Sequence, residues 1–82
     1  MNKGIIIKAD YIAQEINSNY IKIGNCTIEY DDDYHYTFKI KSDDIECVVQ
    51  INKLQLEILS IQEIIRCIIS EYRICILEQY LL

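Results

Sequence analysis

Three consecutive aspartates, Asp31, Asp32 and Asp33, are bracketed by Tyr30, Tyr34 and Tyr36. Carboxylates accept paired hydrogen bonds from arginine, and tyrosine offers rigid contact area. That grouping suits recognition of a basic surface. Glu29, Asp43, Asp44 and Glu46 extend it, so residues 29–46 hold seven of the thirteen acidic side chains against only Lys39 and Lys41. The difference, −5, equals the formal charge of the whole chain. The competing account is turn chemistry, because aspartate favours turns and keeps a small domain dissolved. Clustered aspartates also bind Ca²⁺ or Mg²⁺, but no EF-hand spacing is present and no metal is expected.

Catalytic chemistry has little to work with. The single histidine, His35, faces Glu29 across neighbouring strands in the expected pairing, and such a pair could move a proton. Without a nucleophile or third group beside it, a surface ion pair is the favoured reading. Ser18, Ser42, Ser60 and Ser70 all have cap, turn or helix-surface explanations, and no glycine-rich phosphate loop occurs. The chain is read as a non-enzyme with no cofactor. The cysteines, Cys26, Cys47, Cys67 and Cys75, form no Cys-x-x-Cys pair and sit among apolar residues. They are expected to be reduced thiols in a cytoplasmic protein.

The elements that must position these groups follow from hydrophobic period. Ile5, Ala9, Ile12 and Ile16 recur at helical spacing and predict a helix over 5–18. From Tyr20 the period changes to two. Gly24-Asn25 reads as a hairpin turn, Asp31–Asp33 as a three-residue loop, Lys41–Asp44 as a four-residue turn and Asn52-Lys53 as a tight turn. These turns set Cys26 against Phe38, Phe38 against Cys47 and Cys47 against Ile58, so one sheet face stays apolar through residues 20–59. A rival helix from Ser42 to Leu59, capped by Asp43 and Glu46, is less favoured. Ser60-Ile61-Gln62-Glu63 matches a capping box, and Ile61, Ile64, Ile65, Ile68, Ile69, Tyr72 and Ile76 trace a helical stripe. That helix is expected over 61–79.

The expected fold is therefore α+β, a single domain over 1–82. It is a two-layer sandwich in the order helix, five-stranded antiparallel meander, helix, with both helices on one sheet face. Consecutive turns lie at opposite ends of such a sheet. Asp31–Asp33 and Asp43-Asp44 should then stand about 20–25 Å apart at roughly 3.4 Å per residue. A second apolar stripe, Cys67, Ile74, Leu77 and Leu81, lies opposite the core stripe of the last helix with seam-like offsets of seven, three and four. It is a candidate self-association surface.

With 82 residues the chain has room for one core only. Its acidity disfavours direct binding to nucleic acid or anionic lipid, and neither a membrane span nor a secretory leader is read from it. Ile, Asn, Lys and Tyr make up 37 residues, a bias that AT-rich codons produce. In size, charge and α/β layout the chain resembles small phage-encoded inhibitors of bacterial defence systems, such as anti-CRISPR proteins. It is similar in the same loose way to nuclease-immunity proteins. The resemblance is one of type and rests on no motif. It implies an inhibitor that binds a defence nuclease and blocks its nucleic-acid channel, in the host cytoplasm if the chain is phage-encoded. The expected partner is thus a basic protein surface, and a homodimeric assembly module is the alternative.

Overall fold

The computed structural model describes residues 3–20, 25–30 and 34–81. Among these the chain runs α1 (Lys3–Asn19), β1 (Asn25–Tyr30), β2 (His35–Ser42), β3 (Ile45–Asn52), α2 (Lys53–Ile58) and α3 (Ile61–Leu81). The fold is α+β, with one antiparallel sheet in the order β1-β2-β3. Both long helices appear where the apolar spacing predicts them. Ser60 and Glu63 form the expected capping box. The Glu63 amide donates to Ser60 Oγ at 3.2 Å, and the Ser60 amide donates to Glu63 Oε1 at 3.1 Å. Hydrogen bonding by the Ser60 amide, and then by its hydroxyl, holds the Glu63 carboxyl below its ordinary range.

A single core joins the elements. Ile5, Ala9, Ile12, Ala13 and Ile16 of α1 and Ile64, Ile65, Ile68, Ile69 and Tyr72 of α3 are buried with alternate residues of the sheet. The sheet contributes Cys26, Tyr36, Phe38, Ile40, Cys47, Val49 and Ile51, which are the residues of one face. Asn17 fastens α1 to the side of β1 turned away from β2. Its carboxamide donates to the Cys26 carbonyl at 2.9 Å and accepts from the Cys26 amide at 2.6 Å. One edge residue thereby gains the pairing a further strand would have given.

The five-stranded meander is corrected at its last strand. Residues 21–24 and 31–33, which hold most of the expected first strand and the aspartate loop, lie outside the described residues. Tyr20 is not in a strand; its amide donates to Ile16 O at 2.9 Å as α1 ends. The expected last strand, after Asn52, is the short helix α2. Alternating Leu54, Leu56 and Ile58 satisfy a strand pattern, but Asn52 and Gln55 form a capping box. Asn52 Oδ1 accepts from the Gln55 amide at 2.8 Å, and Gln55 Oε1 accepts from the Asn52 amide at 3.2 Å. The far end of α2 is closed by half-buried Lys8, whose Nζ donates to the Leu56 carbonyl and, at 2.6 Å, to the Leu59 carbonyl. A cation there meets the negative end of the helix and ties α1 to α2. Residues 45–58 are thus neither all strand nor all helix.

The registers also differ from expectation, by two residues. Cys26 pairs with Ile40, Ile28 with Phe38, Ile40 with Cys47 and Phe38 with Val49. A shift of two leaves every side chain on its own face, so hydrophobic pattern alone does not distinguish the two arrangements. Turn length decides it. The β2–β3 connection is the pair Asp43-Asp44, with Asp43 at φ 52°, a left-handed backbone that aspartate tolerates.

The cysteines are corrected as well. Cys47 of β3 and Cys75 of α3 form a disulfide, with a Cα–Cα distance of 6.1 Å, rather than two reduced core thiols. Cys26 is a buried free thiol and Cys67 an exposed one.

Candidate functional site

Among the described residues, the acids of the candidate surface lie at one end of the sheet and on its outer face. At one end, Asp43 and Asp44 form the exposed β2–β3 turn, and exposed Glu46 follows opposite Lys41. At the other end Tyr34 is 72% exposed, just before β2. Tyr30 stands opposite Tyr36 in register, while Asp31, Asp32 and Asp33 lie outside the described residues. The eight residues of β2 separate the two ends by about 24 Å at roughly 3.4 Å per residue.

Two members of the expected surface are engaged elsewhere. Tyr36 is 3% exposed and belongs to the core, because it shares the inward face of β2 with Phe38 and Ile40. Glu29 is exposed but its Oε1 accepts from Lys39 Nζ at 2.7 Å. That ion pair takes the place of the expected Glu29–His35 pair. Register explains it: Glu29 faces Thr37, with Lys39 on the diagonal, while His35 faces Asn52.

The second candidate surface lies on α3. Cys67 is exposed, as are Ile74 (48%), Leu77 (60%) and Leu81 (84%). These four share the side opposite Ile64, Ile65, Ile68 and Tyr72, which are buried. A further exposed apolar pair, Leu54 and Ile58, sits on α2. The strand reading of residues 54–58 turns both side chains inward and so hides them. The signal that would have revealed them is the Asn52-x-x-Gln55 spacing.

Reactive chemistry is sparse. Among the described residues no group of three or more His, Cys, Asp or Glu side chains is placed to hold a metal ion. No helix among them is long and apolar enough to cross a membrane. Burial pushes the Cys26 thiol up to about 11, so at neutral pH it is neutral and sheltered. Maleimide is therefore expected to label Cys67 of the native protein and to spare Cys26 until the chain unfolds. Peptide mass mapping checks this, and native labelling of Cys26 would contradict its buried placement. Comparison with protein-family models, curated proteins and solved structures returns no match.

Proposed function

We propose that this chain is a non-catalytic, acidic interaction protein that inhibits a basic, nucleic-acid-handling partner, such as a bacterial defence nuclease, by occupying its nucleic-acid groove. The observation that carries the reading is the placement of exposed acids at the β2–β3 turn in a chain of net charge −5. In this reading both long helices cover the Phe38 face of the sheet in a two-layer sandwich. Glu46 and the Asp43-Asp44 turn are left toward the partner. Tyr34, which follows aspartates 31–33 in the sequence, lies at the opposite end of the sheet, one strand length away. That span of about 24 Å matches the reach of some seven phosphates at about 3.4 Å per strand phosphate, so the two ends engage an extended groove. Tyr34 supplies contact area beside the aspartates.

The setting we propose is the cytoplasm of a host cell. There the Cys47–Cys75 bridge meets a reducing thiol pool, with Cys47 buried and Cys75 half-buried. A nuclease-immunity protein would act by the same physics. A second reading, an assembly module that pairs through α3, is favoured by one observation, the exposed Ile74, Leu77 and Leu81.

The test is a DNA-cleavage assay with purified RNA-guided and restriction nucleases, run with the parent and with a variant carrying Asn at Asp31, Asp32, Asp33, Asp43 and Asp44. The expected result is stoichiometric inhibition of at least one nuclease, weakened by added salt and by the Asn substitutions. Full cleavage with the protein in excess throughout the panel, or inhibition unchanged in the variant, would count against it.

A further inference from the structure

We propose that α3 pairs with α3 of a second copy of this chain, parallel and in register, through a two-stranded seam. The inference rests on the assembly reading of α3 and is independent of the acidic-partner reading. It begins with spacing. Cys67, Ser70, Ile74, Leu77 and Leu81 follow one another at separations of three, four, three and four, and all five are exposed; the seam starts at Cys67, one turn after Glu63, whose carboxylate closes the cap with Ser60. This is the heptad repeat of a helix that meets another helix. The opposite side of α3 already holds the core through Ile64, Ile65, Ile68, Ile69 and Tyr72. The seam is therefore additional to what the fold itself needs.

The lettering of the heptad specifies the partner. With Cys67, Ile74 and Leu81 at a, Ser70 and Leu77 fall at d. Ile74 at a followed by Leu77 at d is the combination that favours two parallel strands. The flanking positions are charged. Arg66 and Arg73 fall at g, and Glu71 and Glu78 fall at e. Every charged residue of α3 beyond Glu63 thus occupies an e or g position, and all four are exposed. Within one helix these charges are poorly used. Apart from Glu63 and Arg66, no two opposite charges of α3 stand three or four residues apart.

Between two helices they fit one orientation. In a parallel pair each g residue meets the e residue five positions further along the other helix. Arg66 then meets Glu71 of the second copy, and Arg73 meets its Glu78, with the same two contacts repeated by symmetry. In an antiparallel pair e meets e and g meets g. Glu71 would face Glu78 and Arg66 would face Arg73, all like charges. The occupant whose charges complete this pattern is the chain itself, oriented parallel.

Two variants separate the possibilities. Leu77→Glu places a carboxylate in the seam and, since Leu77 is exposed in the single chain, leaves the fold intact. The pair Glu71→Arg with Arg73→Glu keeps the net charge, makes the parallel contacts repulsive and makes the antiparallel ones attractive. Sedimentation velocity over a concentration series, with circular dichroism to confirm folding, is run beside cross-linking by a short bis-maleimide. The parallel seam sets Cys67 against Cys67 of the second copy; the antiparallel one does not. The expected result is a parent dimer cross-linked through Cys67. Leu77→Glu should weaken it about a hundredfold, as loss of two facing buried leucines implies. The charge-exchanged variant should lose both dimer and cross-link. A parent dimer that resists the cross-linker, and tightens on charge exchange, would overturn the parallel register while sparing the assembly reading. A parent that stays monomeric at every concentration would overturn both.

Discussion

Removing the Cys47–Cys75 bridge with paired alanine substitutions is expected to destabilise the protein by about 3–4 kcal/mol. The bridge links β3 to α3 across a sequence separation of 28 residues. Closing a loop of that length restricts the unfolded chain by about 3.6 kcal/mol at 25 °C in the chain-entropy account. A domain of this size is stable by only about 4–12 kcal/mol, at roughly 0.05–0.15 kcal/mol per residue. About a quarter or more of the total is then at stake, and the melting temperature should fall by about 15–25 °C. Alanine is preferred to serine because Cys47 is buried, and a serine hydroxyl there would add an unpaired polar group. Denaturant melts of the parent with and without reductant, beside the double variant, check the prediction. Reductant should bring the parent toward the variant and leave the variant unchanged. Equal stability of all three would show that the bridge adds nothing.

The second large effect is expected at Phe38. It lies on the central strand, fully buried, opposite Ile28 on one side and Val49 on the other. Phe38→Ala removes most of a large side chain from a site that both neighbouring strands hold open, and should cost about 3–5 kcal/mol. Tyr34→Ala, at an exposed position just before the same strand, should stay within about 0.5 kcal/mol of the parent. Urea unfolding of the two variants decides the matter. A Phe38→Ala loss below about 1 kcal/mol would mean that the sheet face does not form the core assigned to it.

The helices were legible because burial imposes a period that few other arrangements share. Ile5, Ala9, Ile12 and Ile16, and later Ile64, Ile65, Ile68 and Ile69, mix odd and even positions, so no strand reading buries them together. The inward sheet face was legible for the same reason, through Phe38, Ile40, Cys47 and Val49. Register was not, because a slip of two residues preserves the face; between β2 and β3 the two-residue turn at Asp43-Asp44 breaks the tie. The helix α2 was hidden by Leu54, Leu56 and Ile58, whose alternation imitates a strand over so short a span. Its capping pair, Asn52 and Gln55, carries the decisive information in side-chain hydrogen bonds rather than in hydrophobicity.

The candidate surfaces divide along the same line. Exposure of Ile74, Leu77 and Leu81 follows from helical geometry once the core stripe is known, and their spacing announced it. Tyr36 was assigned to the acidic surface by its nearness in sequence to the aspartates, although its parity with Phe38 puts it in the core. The disulfide was missed because Cys47 and Cys75 are remote in sequence. The clue was that Cys75 falls on the core side of α3 and Cys47 on the inward face of its strand.

The claim that surface acid carries partner recognition is tested most directly by association kinetics. Once a nuclease is inhibited in the cleavage assay, surface plasmon resonance can compare the parent with a variant carrying Asn at Asp31, Asp32 and Asp33 across a salt series. Opposed charges across an interface act mainly on the rate of encounter, and salt screens them beyond about 8–10 Å at physiological ionic strength. The account predicts a parent on-rate that falls as salt rises, and a variant that associates more slowly with little change in stability. A parent on-rate indifferent to salt, matched by an unchanged variant, would show that these aspartates serve only as solubilising turns.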